Sequence, residues 1–263
     1  MIKIEQIEFG GKKLDFVNYE SMAWAIRGMR NPKNSWAKSD SYFDEESGKF
    51  ILGENDKKLA ETLAKNGPVH GKFQRMIVVQ AEITAPRYWW TEYDTYKVGT
   101  VANSCSTMFK LTSRPLTIDD FSHDGRGEIG MDYLKGAITN LNERMEQWKT
   151  EQDSETKDKI WRSIIDDLPQ GYMQKRTCML NYQVLSNMYE NRKHHKLKEW
   201  HDMCDWIETL PYADGLIYQS KREQMKDIVE KTQKAEKAIE KPITISKDSI
   251  KIKPTTVLAF CDK

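Results

Sequence analysis

The run LPQGYMQKRTCMLNYQVLSNMYENR, from Leu168 to Arg192, constrains this chain more than any other. Proline is tolerated in the first turn of a helix, so Leu168-Pro169 reads as a helix entry and the residues after it as the helix. Asn181, Asn187 and Arg192 follow at intervals of six and five residues. Each interval advances a helix by more than one turn and leaves the three side chains in a broad sector of neighbouring turns. Two carboxamides offer donors and acceptors to a planar heterocycle edge, and a guanidinium offers a fork of donors to an anionic group. The expectation is a helix that reads a small planar ligand.

The elements around this run give an α+β order. MIKIEQIEF alternates like a short strand and ends at a Gly10-Gly11 turn. Met22, Ile26 and Met29 mark one face of a helix over 19–30, which stops near Pro32. Residues 33–53 are polar and Gly-punctuated, a surface loop with a hairpin. A helix over 55–66 ends at Gly67-Pro68. FQRMIVVQAEIT, over 73–84, reads as a buried strand, Pro86 interrupts it, and YWWTEYDTYK starts a helix. Residues 100–127 are irregular. Leu134, Ile138, Leu141 and Met145 line one face of a long helix over 130–150, and Asp153 or Ser154 caps the next helix, which reaches Ile165. HHKLKEWHDMCDWIETLP then leads to Pro211. A charged helix over about 214–240 and an alternating strand over 243–253 close the chain, which reads as one domain over 1–263.

Composition removes several function classes. Charged residues make up 31% but nearly cancel to a formal +1, so no overall field draws the chain to nucleic acid or an anionic membrane. No apolar run reaches the length of a membrane span, and no basic segment followed by an apolar core opens the chain as a signal peptide does. The four cysteines, Cys105, Cys178, Cys204 and Cys261, have no C-x-x-C spacing, which favours a reduced, cytoplasmic setting and argues against a zinc site. His194, His195 and His201 lack a diagnostic acidic partner and read as solvated helix surface, so no metal is expected. Cys105, in the polar loop NSCST, has no histidine placed beside it to activate a thiol.

The Leu168–Arg192 run resembles the nucleotide-reading helix of the flavin-dependent thymidylate synthases, where Leu-Pro precedes Asn, Asn and Arg at these same intervals. The segment HGKFQRMIVVQAEITAPRYWWTEYDTYKVGTVANSCSTMF, from His70 to Phe109, looks like the other half of that family's core. There a strand leads into Arg-Gln, an Arg-His-Arg triplet and a loop of Ser, Asn, Glu, Ser and Arg. Placed by the strand and the proline, Arg-Gln falls on Thr91 and Glu92, and the triplet on Thr95, Tyr96 and Lys97. The loop's first serine falls on Thr100. With one inserted residue, its Asn and second Ser fall near Asn103 and Ser106, and its arginine on Met108.

The resemblance covers about 70–211, with 212–263 as a C-terminal helix and β extension. It implies a central sheet with long helices, and a homotetramer with pockets between subunits. The family uses FAD, NADPH and a methylene-folate to methylate dUMP. Here only one cation of the triplet remains, and Glu92 and Asp94 add negative charge beside it. Methionine cannot reproduce a bidentate arginine contact with phosphate, and lysine does so only in part. The expectation is therefore a protein binding a nucleotide or a nucleotide-derived small molecule, without the standard catalysis and without a cofactor. One use for such a scaffold is a phage-encoded protein that sequesters a nucleotide signal of host immunity. Its expected ligand-binding residues are Arg192, Asn181, Asn187, Tyr96, Lys97, Asn103, Ser106, His70 and Glu92. His70 enters because the family places a substrate-site histidine near there. Two other functions stay open: a divergent flavin-dependent methyltransferase of a pyrimidine nucleotide, with FAD and a dUMP substrate, and a structural protein that uses the scaffold only for assembly. Trp89, Trp90, Tyr93 and Tyr96 at helical spacing fit a core or a subunit interface as well as a ring-stacking platform.

Overall fold

The period-2 pattern of VVQAEITAP sets the centre of the fold. In the computed structural model, which describes residues 1–219 and Thr232, this segment is the long strand of a four-stranded sheet. Val79, Ala81, Ile83 and Ala85 are buried on one face, while Gln80, Glu82 and Thr84 turn to the other. The strands in chain order are β1 (Lys3–Glu5), β2 (Glu8–Phe9), β3 (Lys12–Lys13), β4 (Tyr42–Phe43), β5 (Phe50–Ile51), β6 (Val78–Pro86), β7 (Val101–Ser104) and β8 (Met173–Asn181). The main sheet runs β1-β6-β8-β7 and every pairing in it is antiparallel. β6 and β8 pair over their whole lengths, from Val78 opposite Asn181 to Pro86 opposite Met173. Pro86 fits this central strand because it is the last residue, beyond the Lys3–Thr84 end of β1.

The helices are α1 (Tyr19–Met29), α2 (Glu54–Lys65), α3 (Arg87–Tyr93), α4 (Thr107–Lys110), α5 (Glu128–Thr150), α6 (Ser154–Asp166), α7 (Tyr182–Arg192), α8 (Lys198–Glu208) and α9 (Ala213–Leu216). The expected helices α1, α2, α5 and α6 lie within two residues of their sequence boundaries. Asn18 caps α1 by accepting from the Ser21 amide at 2.7 Å, and Asp153 caps α6 by accepting from the Thr156 amide at 2.8 Å. The hairpin in 33–53 is β4–β5, and Gly10-Gly11, both at positive φ, form the two-residue turn between β2 and β3.

Four expectations fail, one of them the irregular reading of 100–127, which holds β7 of the main sheet and α4. Leu168–Arg192 is not one helix: a turn closes with Tyr172 N–H donating to Pro169 at 3.0 Å, β8 follows, and only Tyr182–Arg192 is helical. Helix propensity is a weak prior, and β6 offers MQKRTCMLN a partner along all nine residues, with Cys178 and Leu180 facing the core. The strand expected over 73–84 begins only at Val78, after a 3₁₀ helix over Gly71–Met76. Phe73 and Gln74 are adjacent and both buried, unlike the alternating burial of β6 that follows, and the Gln74 amide donates to the Leu216 carbonyl. MIKIEQIEF is split between β1 and β2, which belong to different sheets. The helix over 214–240 and the strand over 243–253 fall, beyond Gln219, outside the described residues.

Met1–Gln219 form one compact unit with two apolar clusters. The larger covers the inner face of the sheet and holds Trp89, Trp90, Tyr93 and Trp200, each at most 2% exposed. Burying a large apolar side chain contributes about 1.5–3 kcal/mol, so these rings anchor α3 and α8 on the sheet. The smaller cluster joins Leu134, Ile138, Leu141 and Met145 of α5, the face legible in the sequence, to Ile164 of α6 and to Leu111, Leu116 and Phe121. No described helix is long and apolar enough to cross a membrane.

Candidate functional site

α3 begins where β6 ends, and its rigid frame is aromatic. Trp89, Trp90 and Tyr93 turn inward, which leaves Glu92, and Tyr96 just beyond the helix, facing the end of α7 and the start of α8. There a polar cluster closes. Arg192 donates from Nη1 to Glu92 Oε2 at 2.8 Å and from Nε to the Tyr96 hydroxyl at 3.0 Å. The buried Trp200 donates from Nε1 to the same Glu92 Oε2 at 2.8 Å. His195 Nε2 lies 3.4 Å from it.

The His195 tautomer follows from its other nitrogen. The Leu197 amide donates to Nδ1 at 3.2 Å, so Nδ1 carries a lone pair and Nε2 carries the proton that faces Glu92. Glu92 Oε2 thus accepts two hydrogen bonds and has the His195 ring nitrogen 3.4 Å away. The Arg192 guanidinium lies over the Trp200 ring at 4.8 Å and the Tyr96 ring at 5.6 Å, a cation–π frame that fixes its plane. Arg192 is 19% exposed and Glu92 32% exposed, so both reach solvent. Arg192 Nη2 makes no hydrogen bond among the described residues. A second pair beside it repeats the pattern: Arg176 donates to Asp94 at 2.7 Å and lies 4.1 Å over the Trp90 ring.

The structure gathers Arg192, Tyr96 and Glu92 and disperses the other expected residues. Asn181 is the N-cap of α7: its Oδ1 accepts from the Val184 amide at 2.9 Å. Its Nδ2 sits against Gly99, where a Cβ would come within 2.4 Å. Asn187 is exposed and accepts from Gln183 at 3.4 Å. At 100° per residue, Asn187 lies well round the helix from Arg192. Lys97 is exposed on the loop after α3. Asn103 lies on the edge strand β7, opposite Thr177, and Ser106 caps α4 by accepting from the Phe109 amide at 3.3 Å. His70 is exposed at the start of the 3₁₀ helix.

Two members of the cluster escape a reading of the sequence. His195 is not solvated surface: its side chain is 25% exposed and faces Glu92, while His194 is exposed. Trp200 had a signal, because Trp200, Met203, Cys204 and Ile207 fall at i, i+3, i+4 and i+7 and are all buried. Burial pushes the Cys178 thiol up to about 11 and the Cys204 thiol up to about 12, so both are packed thiols rather than nucleophiles. Among the described residues no group of three His, Cys, Asp or Glu could hold a metal ion.

No known protein family matches the chain, and no curated protein matches it by sequence. Solved structures do. Thymidylate synthase X from Helicobacter pylori, solved with FAD and dUMP, superposes with a TM-score of 0.55 at 16% identity, over 74% of this chain and 92% of that one. The fold is thymidylate synthase X-like. A second structure described as the flavin-dependent thymidylate synthase ThyX of Helicobacter pylori, with FAD and dUMP, matches at the same TM-score of 0.55 over 76% of this chain and 94% of that one. The UMP/dUMP methylase PolB from Streptomyces cacaoi, bound with 5-Br dUMP, matches at 0.50 and 13% identity, over 80% of this chain and 89% of that one. In this ThyX-like frame the strand and proline that position the Thr95-Tyr96-Lys97 segment are β6 and Pro86.

Proposed function

We propose that this protein binds a nucleotide or a nucleotide-derived small molecule at the corner of α3, α7 and α8, with Arg192 as the main contact. The observation that carries this reading is the fixed guanidinium: Arg192 is clamped by Glu92, Tyr96 and the Trp200 ring, yet 19% of its side chain stays exposed. A donor held in place before the ligand arrives loses little freedom on binding, which is how a small planar ligand is gripped without a large contact area. The fold supports the ligand class, since structures of this fold have been solved with dUMP or its 5-bromo derivative.

The residues present do not fit a flavin. Its anionic phosphates call for unpaired cations, but Arg192 and Arg176 are each already paired with a carboxylate, and the segment 95–97 contributes only Lys97. The reading is therefore a binding protein that lacks FAD and the methylation chemistry. It is assembled as a homotetramer that completes the ligand pocket, and one role for it is sequestering a nucleotide signal of host immunity from within a phage-encoded repertoire. Native mass spectrometry of the purified protein tests this. The expected result is a tetramer carrying a nucleotide-type small molecule and no flavin. A stoichiometric flavin would overturn the loss of the cofactor, and a ligand-free monomer would remove the pocket.

A further inference from the structure

Glu92 is the feature of this corner that an anion-binding site does not need. Its Oε2 accepts from Arg192 Nη1 at 2.8 Å and Trp200 Nε1 at 2.8 Å, with His195 Nε2 3.4 Å away, and the two donors are ones a phosphate oxygen would use. The carboxylate is one residue from α3's buried Tyr93, so its position is fixed by the core and not by a flexible loop. It also offsets the charge of the partly exposed Arg192 guanidinium. Its other oxygen, Oε1, accepts no hydrogen bond among the described residues, and Arg192 Nη2 gives none.

We infer that Glu92 is a specificity-determining residue, a built-in counter-ion that excludes phosphate and selects an uncharged heterocycle edge carrying a donor beside an acceptor. The inference rests on Arg192 being the ligand contact. A phosphate approaching Arg192 meets Glu92 within the same hydrogen-bonded cluster, and like charges brought together at a contact cost several kcal/mol. A neutral edge meets complementary partners instead: its acceptor takes a hydrogen bond from Arg192 Nη2, and its N–H gives one to Glu92 Oε1. The corner then recognises the base of a nucleotide-type ligand and leaves any phosphate to lie elsewhere.

Inorganic phosphate is the direct probe, read through the Trp200 indole N–H resonance, which Trp200→Phe identifies. Glu92→Gln has the same shape and keeps an oxygen for Trp200 and Arg192, and an unchanged far-UV circular dichroism spectrum reports that it folds. The wild-type protein is expected to show no saturable shift with millimolar phosphate. Glu92→Gln should gain saturable phosphate binding, at least about tenfold tighter than wild type. The double variant Glu92→Gln/Arg192→Gln should lose that gain. Equal phosphate binding by wild type and Glu92→Gln would overturn the inference, as would a gain that survives the loss of Arg192. Deoxyuridine is the second probe. If it shifts no resonance while Glu92→Gln still gains phosphate, the nucleotide reading and the selection of a heterocycle edge fail, and only the exclusion of phosphate by Glu92 stands.

Discussion

Removing the Asn181 side chain separates a structural from a ligand-reading role. Asn181 Oδ1 accepts from the Val184 amide at 2.9 Å, one of the amides at the start of α7 that the helix itself cannot satisfy. The residue is extended, φ −139° and ψ 166°, as an N-cap should be. Replacing an Asn cap by Ala costs about 0.5–2 kcal/mol. The packing of Nδ2 against Gly99 is also lost, so the upper half of that range applies. For a body of this size about 1 kcal/mol lowers Tm by roughly 2–4 °C. Asn181→Ala should therefore melt a few degrees below wild type, and its urea midpoint should fall with an unchanged slope. Asn181→Asp keeps a capping oxygen and should recover most of the loss. Asn187→Ala, on the exposed face of the same helix, should stay within about 0.5 kcal/mol of wild type. A wild-type urea midpoint for Asn181→Ala would refute the capping argument and return Asn181 to the ligand.

The remaining predictions address the loop, the buried acid and the cofactor. Gly99 has φ +84° and faces Asn181 Nδ2, so Gly99→Ala should destabilise by about 1–3 kcal/mol in chemical denaturation. Asp56 is fully buried. Burial raises its pKa, but hydrogen bonds from Ser39, Ser41 and Arg30 outweigh this and hold the carboxyl below its usual range. A depressed folded value contributes stability that is present above the unfolded value and lost as pH falls through the folded one. Wild-type stability should therefore drop below about pH 4, and Asp56→Asn, which strands the buried Arg30, should cost about 3–5 kcal/mol and flatten that drop in pH-dependent urea titrations. The denatured protein should release less than stoichiometric flavin by absorbance, because the arginines near Tyr96, Arg192 and Arg176, are paired with Glu92 and Asp94.

The helices were legible where the apolar spacing was clean and a capping residue preceded it. Leu134, Ile138, Leu141 and Met145 sit where α5 meets α6, and Asn18 and Asp153 cap the helices they precede. β8 was not legible, because MQKRTCMLN mixes long polar side chains with a few apolar ones and becomes a strand only when β6 supplies its hydrogen bonds. The resemblance from Leu168 to Arg192 survives at the level of sequence spacing, but it spans a strand and a helix, so Asn181 became a cap. Glu92 and Arg192 were both expected at the site through the resemblance, but their pairing was beyond local patterns. Glu92 and Arg192 are 100 residues apart in sequence, and nothing in either segment announces that an acid will face that arginine. Glu92 read on its own is a surface glutamate; only the pairing of β6 with β8 brings α3 to α7.

Calorimetric titration of dUMP, and of its nucleoside, against the wild-type protein and Arg192→Ala tests the central claim most directly. The account predicts saturable binding by the wild type. It predicts a loss of about 10- to 150-fold in a folded Arg192→Ala variant, the worth of a charge-assisted hydrogen bond of about 1.5–3 kcal/mol. Equal affinity of the two proteins for either compound would contradict it, because Arg192 would then be a structural partner of Glu92 and not the contact that reads the ligand.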